Sequence, residues 1–222
     1  MPVLATSPYV EAVAHLAPNM RLCAAGVPWE EYEQLLEDLG DDYAGRVFYD
    51  RGNLEIMPPP TKEHERPVSI IDRVIIALGD ELGWEIESIR STRLKRQLRN
   101  TGAEPDEAYY IRDIAPALRA GELDLERDPP PHLVVEVDHT SLSLDKFALY
   151  AALDVPEIWR LYQGVVSFYE LAESGYTETA YSRAFPFLSS SQLAQFLAIG
   201  LREGATKAKR ACSEWVKTQA NK

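Results

Sequence analysis

The sequence has little cysteine and no long hydrophobic run. Cys23 and Cys212 are the only cysteines among 222 residues, and two distant cysteines make neither a disulfide framework nor a zinc motif. No apolar run approaches the roughly 18 residues of a membrane helix. The first residues, MPVLATSPYVEAV, lack a basic segment followed by a long apolar one, so they are not typical of a signal peptide. We therefore expect a cytoplasmic protein without a membrane partner.

Several catalytic motifs are also absent. The sequence contains no GxGxxG, GxxxxGK[ST], HExxH or GxSxG. No two of its four histidines have metal-ligand spacing on one helix: His15, His64, His132 and His139. What remains for chemistry is a set of carboxylates and a lysine.

Positive charge is scarce overall but concentrated in one segment. The formal net charge of −12 argues against non-specific nucleic-acid binding, because phosphate contacts need local Lys and Arg. Residues 90–99, RSTRLKRQLR, nevertheless hold five basic residues and no acid. If this basic segment is a strand, Arg93, Lys95 and Arg99 share one face and could follow a phosphate backbone. The alternative is a solvated face without a ligand.

The length and the 45% hydrophobic content suit one substantial domain. We assign residues 28–200 to this domain, residues 1–27 to an N-terminal arm and residues 201–222 to a basic C-terminal tail. The pattern of elements predicts an α/β (α+β) fold with a mixed central sheet flanked by helices. The longest helix should span Thr61 to Leu82, with one apolar face buried against the sheet: Val68, Ile71, Ile75 and Leu78.

A strand–helix–strand unit is predicted between Pro129 and Tyr162. The valine-rich run 132–137 follows three prolines and reads as a buried strand, and Pro156 ends the helical pattern of 145–153. Glu136 interrupts the apolar run, and a carboxylate there is costly unless it is paired, protonated or metal-bound. Either the strand ends at this point and Glu136 faces solvent, or Glu136 lies in a cleft at the strand end.

Asp106, Glu136 and Lys146 together could serve as a minimal phosphodiesterase site. Mg²⁺ prefers oxygen ligands and keeps several waters, so one or two protein carboxylates often suffice to hold it. A metal held in this way lowers the pKa of bound water and neutralises phosphodiester charge, and a nearby ammonium orients the nucleophile. Spacing in the sequence does not establish that the three residues meet.

The chain resembles the family of putative restriction endonucleases within the PD-(D/E)XK nuclease superfamily. Three stretches carry the resemblance: Asn53–Pro60 with His64, then Glu104-Pro105-Asp106, then LVVEVDHTSLSLDKFALYAALDVPEIW from Leu133 to Trp159. The resemblance covers roughly residues 28–200. It implies a restriction-endonuclease-like core and a DNA endonuclease that depends on Mg²⁺ or Mn²⁺.

The resemblance also implies roles for individual residues. Asp106 is the PD aspartate and Glu136 the second carboxylate, and both would hold the metal together with the backbone of Val137. The superfamily pattern has lysine two residues after the glutamate, where this chain has Asp138, so Lys146 of the following helix would take its place. Asp138 is then an extra metal ligand or a supporting group. His64 and Glu65 are accessory candidates, although acids in a first helical turn also suit capping.

Two functions remain open at this point. One is a metal-dependent DNA endonuclease, for which a homodimer is the expected assembly of a symmetric two-strand cutter. The other is a catalytically degenerate nuclease fold that binds nucleic acid or protein. The net charge favours the second, and the retained Asp106, Glu136 and Lys146 favour the first.

Overall fold

The chain folds as an α+β protein with two β-sheets. The computed structural model describes residues 7–17, 20–40, 42–118, 123–138 and 145–219. Within these residues the helices are α1 (Pro8–Ala14), α2 (Trp29–Leu39), α3 (Lys62–Leu82), α4 (Lys146–Ala152), α5 (Ser190–Glu203) and α6 (Ala205–Gln219). The strands are β1 (Leu22–Ala24), β2 (Arg46–Asp50), β3 (Asn53–Met57), β4 (Ile86–Ser88), β5 (Leu94–Arg96), β6 (Thr101–Ala103), β7 (Glu107–Ile111), β8 (Leu133–Asp138), β9 (Glu157–Tyr162), β10 (Val165–Ala172) and β11 (Gly175–Thr179). None of these helices is long and apolar enough to cross a membrane.

The larger sheet is mixed and the smaller one is antiparallel. The larger sheet has the order β11-β10-β9-β8-β7-β4, in which only β8 and β9 run parallel. The smaller sheet has the order β1-β3-β2-β6-β5. The predicted mixed central sheet is therefore confirmed, and Glu136 lies on β8, an inner strand of this sheet. The smaller sheet as a unit was not predicted, because its strand pairing is set by contacts between distant parts of the chain.

The strand–helix–strand unit forms as predicted from β8, α4 and β9. Val135 of β8 lies opposite Trp159 of β9 in the parallel register. The carboxylate of Asp145 caps α4 by accepting the N–H groups of Phe147 and Ala148, at 3.0 and 3.4 Å. The connection between β8 and Asp145 lies outside the described residues. The cap fixes where α4 begins, and this places Lys146 in its first turn.

Helix α3 covers one face of the larger sheet. Its predicted apolar face is buried throughout: Val68, Ile71, Ile75 and Leu78. These side chains join the inward-facing residues of β7, β8 and β9 and the buried faces of α5 and α6 in one hydrophobic core. Gly83 ends the helix in the left-handed conformation, with φ of 65°, which glycine adopts without a steric penalty. The other face of the sheet packs on α4 and on residues of the smaller sheet.

Segments near both ends of the chain pack against the domain, where the sequence analysis predicted an arm and a tail. The basic segment after residue 200 was interpreted as a tail, but α6 packs along α3 and buries Ala208, Cys212 and Val216 in the core. Its basic residues occupy the outer face of an amphipathic helix, which explains why composition alone suggested a tail. In the predicted N-terminal arm, β1 pairs with β3, and Val13 is buried in a third hydrophobic cluster with α2.

Gly200 sets the distance between α3 and α5, and its substitution should destabilise the fold. A Cβ atom at Gly200 would lie 2.6 Å from the Cγ2 atom of Ile70. Replacing glycine with alanine at an exposed helix position stabilises the helix by about 1 kcal/mol. A loss of stability in Gly200→Ala would therefore show that the new Cβ atom clashes with Ile70. We expect a net loss of about 1–3 kcal/mol in the free energy of unfolding, measured by urea denaturation.

Ile70→Ala provides the control for this prediction. It removes the atoms that the new Cβ would meet, at its own cost of about 2–5 kcal/mol. The double variant should therefore lose less stability than the sum of the two single variants. Strict additivity would show that the contact between α3 and α5 does not limit packing at Gly200.

Candidate active site

The site is built on two acidic residues that lie on one face of β8. Successive side chains of a strand point to opposite faces, so Glu136 and Asp138 both point toward α4, while Val137 between them points toward α3. Glu136 is 1% exposed and Asp138 is 6% exposed. The interpretation of Glu136 as a solvent-facing residue at a strand end is therefore wrong.

Asp106 joins this pair from the neighbouring strand. In the antiparallel register of β7 and β8, Glu107 lies opposite Val135, so Asp106 immediately before β7 comes beside Glu136. The N–H of Val137 donates to Oδ2 of Asp106 at 2.8 Å. Pro105 keeps the backbone extended and free of an N–H just before the aspartate. The two residues predicted from the sequence thus lie side by side, and the charge of Asp106 acts on the carboxyl of Glu136.

Lys146 reaches the acids from the first turn of α4. Its ammonium donates to Oε2 of Glu136 and, at 3.0 Å, to Oδ1 of Asp138. Tyr150, one turn later on the same helix face, donates its hydroxyl to Oε1 of Glu136. The lysine therefore comes from the helix after the strand, and Asp138 at the usual lysine position is one of its acceptors.

The environment pushes the pKa values of the two neighbouring carboxyls apart. Burial raises the pKa of Glu136, Lys146 opposes this, and the charges of Asp106 and Asp138 raise it further, to about 7. Burial would also raise the pKa of Asp106, but the His64 hydrogen bond and the Lys146 charge hold it below its usual value. Burial would lower the pKa of Lys146, but the acids around it raise it, so it stays an ammonium. Paired carboxyls with separated pKa values are common at catalytic sites.

His64 and Arg46 complete the surroundings of Asp106. Nε2 of His64, in the first turns of α3, lies 3.1 Å from Oδ2 of Asp106. Burial lowers the pKa of this histidine, but the hydrogen bond and charge of Asp106 and the charge of Glu65 outweigh it and raise the pKa. Nε of Arg46, at the start of β2, lies 3.7 Å from Oδ1 of Asp106. Glu65 is about half exposed and contacts His64 at 3.6 Å, so it stands beside the histidine rather than at the acids.

The structure adds residues that the sequence interpretation missed. Arg160 of β9 donates to Oδ2 of Asp138 at 2.7 Å, and its position opposite Glu136 follows from the parallel register. Tyr150 could have been found from its spacing of four residues after Lys146. Arg46 and Phe48 carried no such signal, because they reach the site only through the packing of the smaller sheet against the larger one. The ring centroid of Phe48 lies 4.9 Å from the Lys146 ammonium.

A narrow cleft gives access to these groups. It has a volume of about 80 Å³ and is bounded on its polar side by Arg46, His64, Asp106, Asp138 and Lys146. Its apolar side comes from Phe48, Met57 and the three prolines that follow. Glu136 lies beneath this surface, with both oxygens engaged by Lys146 and Tyr150. We refer to it below as the active-site cleft.

The predicted nucleic-acid-binding residues do not share one strand face. Strand β5 ends at Arg96, and residues 97–99 form a 3-10 turn that redirects the chain. Arg93 donates to Glu104 at 2.6 Å, Lys95 to Glu33 at 3.3 Å, and Arg99 to Asp154 at 2.8 Å. The expected row of basic side chains is therefore wrong as geometry, because a strand was assumed where the chain turns. The role of these residues in DNA binding stays a prediction.

The donor atoms at the site are compatible with a hard divalent cation. Among the described residues, no three side chains of His, Cys, Asp or Glu form a preformed metal cluster. The predicted ligand set uses two carboxylates, Asp106 and Glu136, and the carbonyl of Val137. Mg²⁺ keeps several waters, and each carboxylate oxygen can accept more than one partner, so this set suffices chemically.

Comparisons with known proteins show the family and the fold of the chain. The family described as "Uma2: Putative restriction endonuclease" matches residues 29–202, which is more than half of the chain. A crystal structure of "a putative nuclease belonging to DUF820" from Anabaena variabilis has the same fold, with a TM-score of 0.51 and 15% identity over 77% of this chain and 99% of that one. No curated protein matches the sequence. The protein is thus a member of the putative restriction endonuclease family, with a nuclease-like α+β fold.

Proposed function

We propose that this protein is a metal-dependent endonuclease that hydrolyses phosphodiester bonds of DNA. One observation carries the proposal. Lys146 contacts both Glu136 and Asp138 directly beside Asp106, so a lysine and carboxylates meet although the usual sequence spacing is absent. The family assignment supports the reaction class.

Asp106, Glu136 and the carbonyl of Val137 would hold Mg²⁺ or Mn²⁺. When bound, the metal would activate water and neutralise charge on the phosphodiester. Asp106 is suited to this role because its pKa is held low, so it is ionised at neutral pH. Glu136, with a pKa of about 7, is the group whose ionisation would accompany metal binding.

Lys146 would contact the substrate or the attacking water. An ammonium has three N–H donors, and its described hydrogen bonds, to Glu136 and Asp138, use two of them. Because Lys146 lines the active-site cleft, the third donor can reach a phosphate oxygen or the water. His64 contacts Asp106 and Arg160 donates to Asp138, so these two residues would keep the acids in position relative to the lysine.

Supercoiled plasmid DNA with Mg²⁺ or Mn²⁺ tests this proposal. We expect the wild-type protein to nick or linearise the plasmid, EDTA to stop the reaction, and Asp106→Asn to remove it. Cutting of both strands would further predict a homodimer, which sedimentation would detect. DNA binding without cleavage under all metal conditions would instead support a nuclease fold that serves as a binding module.

A further inference from the structure

A second cleft lies beside the active-site cleft. It has a volume of about 420 Å³, and its charged side consists of Arg90, Arg93 and Lys95. Tyr43, Gly45 and Glu104 line the side toward the active site. We refer to it as the basic cleft. In a chain with a net charge of −12, a concavity lined by three cations and one carboxylate, that of Glu104, is a local exception that points to an anionic ligand.

The linings of the two clefts contain residues that are close together in the chain. Gly45 lines the basic cleft and the next residue, Arg46, lines the active-site cleft. A Cβ atom at Gly45 would lie 2.3 Å from the carbonyl oxygen of Met57, so only glycine allows this close approach. On the connection between β6 and β7, Glu104 likewise lines the basic cleft and Asp106 lines the active-site cleft. Two residues of extended chain span about 7 Å.

The basic residues differ in how they are held. Arg93 is fixed on the buried carboxylate of Glu104, which also accepts the N–H of Val47 at 2.8 Å. Lys95 reaches Glu33, and its side chain is 24% exposed. Arg90 is exposed, and its charge acts on the carboxyl of Glu107, whose pKa burial raises and Arg90 lowers. Arg93 and Lys95 are about one quarter exposed and Arg90 is exposed, so all three cations can be reached from solvent.

We propose that the basic cleft binds a backbone phosphate of the same DNA strand whose neighbouring phosphate lies at Asp106 and Lys146. Because only Pro105 separates Glu104 of the basic cleft from Asp106 of the active-site cleft, the two phosphates would belong to nucleotides close together on the strand. The inference rests on the proposed function for the identity of the substrate. It adds Arg90 to the residues that contact DNA and removes Arg99, whose partner Asp154 is also held by Arg96 away from the cleft.

Salt-dependent DNA binding tests the proposal without cleavage. The affinity of the full chain for a labelled duplex is measured in EDTA by fluorescence anisotropy over a range of salt concentrations. Arg90→Gln and Lys95→Gln should each weaken binding alike for all sequences and reduce the slope of log K against log salt by about one. Arg99→Gln should leave the slope unchanged. So should Arg202→Gln, a matched charge control on α5 that contacts Glu203.

The outcomes separate this inference from the proposed function. An unchanged slope in Arg90→Gln and Lys95→Gln, or an equal reduction in Arg99→Gln and Arg202→Gln, would overturn the cleft assignment. A wild-type protein that binds no DNA would overturn it as well. If the protein binds DNA with the expected slopes but cuts none with Mg²⁺ or Mn²⁺, the endonuclease proposal fails while the cleft assignment stands.

Discussion

Glu136→Gln should abolish DNA cleavage while the protein stays folded. Glutamine has nearly the same shape as glutamate, and its carbonyl can still accept the Tyr150 hydroxyl. The change removes one of the two carboxylates beside Lys146 and with it a charge in a buried site. We expect kcat to fall by at least about 100-fold, the scale of loss when one electrostatic group is removed from an active site. A plasmid nicking assay with Mn²⁺ measures it.

The same variant should change how stability depends on pH. In the metal-free protein the pKa of Glu136 is about 7, above its unfolded value near 4.3. Between these values the folded state keeps a proton that the unfolded state releases, so this group's contribution to stability falls as pH rises. Glu136→Gln lacks this loss, and its stability relative to the wild type should increase from about pH 4.5 to about pH 7.

Glu157→Gln is the matched control for the loss of cleavage. Glu157 is also buried on the larger sheet, but its carboxylate accepts the indole N–H of Trp159 and backbone N–H groups of the 183–184 segment. Its described hydrogen bonds go to none of the residues that line the active-site cleft, whereas Glu136 contacts Lys146, so the folded Glu157→Gln variant should keep cleavage. Equal cleavage by Glu136→Gln and the wild type would exclude Glu136 from the chemistry.

Lys146→Ala should destabilise the protein as well as inactivate it. The Lys146 side chain is 12% exposed and neutralises two carboxylates that are almost completely buried, Glu136 and Asp138. Removal of one partner from a buried ion pair costs about 3–5 kcal/mol, because the remaining charge is left uncompensated. Urea denaturation at about neutral pH should show a loss of this size, which is a large part of the stability of an ordinary domain.

Acid should relieve this destabilisation, since protonation of Glu136 removes one of the unpaired charges. The deficit of Lys146→Ala relative to the wild type should therefore be smaller at about pH 5 than at about pH 8. Lys209→Ala serves as the surface control. Lys209 pairs with Asp80 at 3.0 Å with both side chains well exposed, so its removal should cost less than about 1 kcal/mol. A deficit in Lys146→Ala no larger than this would contradict the buried ion-pair assignment.

Local patterns predicted those parts of the fold that depend on neighbours in the sequence. The apolar period of α3, the prolines before β8 and Pro156 after α4 act within one or two turns of the chain, and these elements appear where expected. The pairing of β1 with β3 and the packing of α6 on α3 join segments distant in sequence. Composition suggested an arm and a tail there, since it carries no information on such contacts.

The residues of the site can also be divided into those that local sequence patterns predict and those that depend on long-range contacts. The strand alternation of β8 places Glu136 and Asp138 together, and the family resemblance proposed Asp106 and Lys146 as their partners. Arg46 reaches Asp106 from the smaller sheet, so its presence depends on how two sheets pack, which no periodicity reveals. The prediction of a strand over the basic segment 90–99 was wrong because the turn after Arg96 contains no glycine or proline that would indicate it in the sequence.

The connection between β6 and β7 has a mechanical consequence. It leaves the smaller sheet at Ala103 and enters the larger one at Glu107, and its two acids are tied in opposite directions. Glu104 is anchored to Val47 of the smaller sheet, and Asp106 to Val137 of the larger. The connection is therefore hydrogen-bonded to both sheets and couples them to one another. A change in the angle between the sheets would therefore be transmitted to Asp106 by two routes, through Pro105 and through the contact with Arg46 of the smaller sheet.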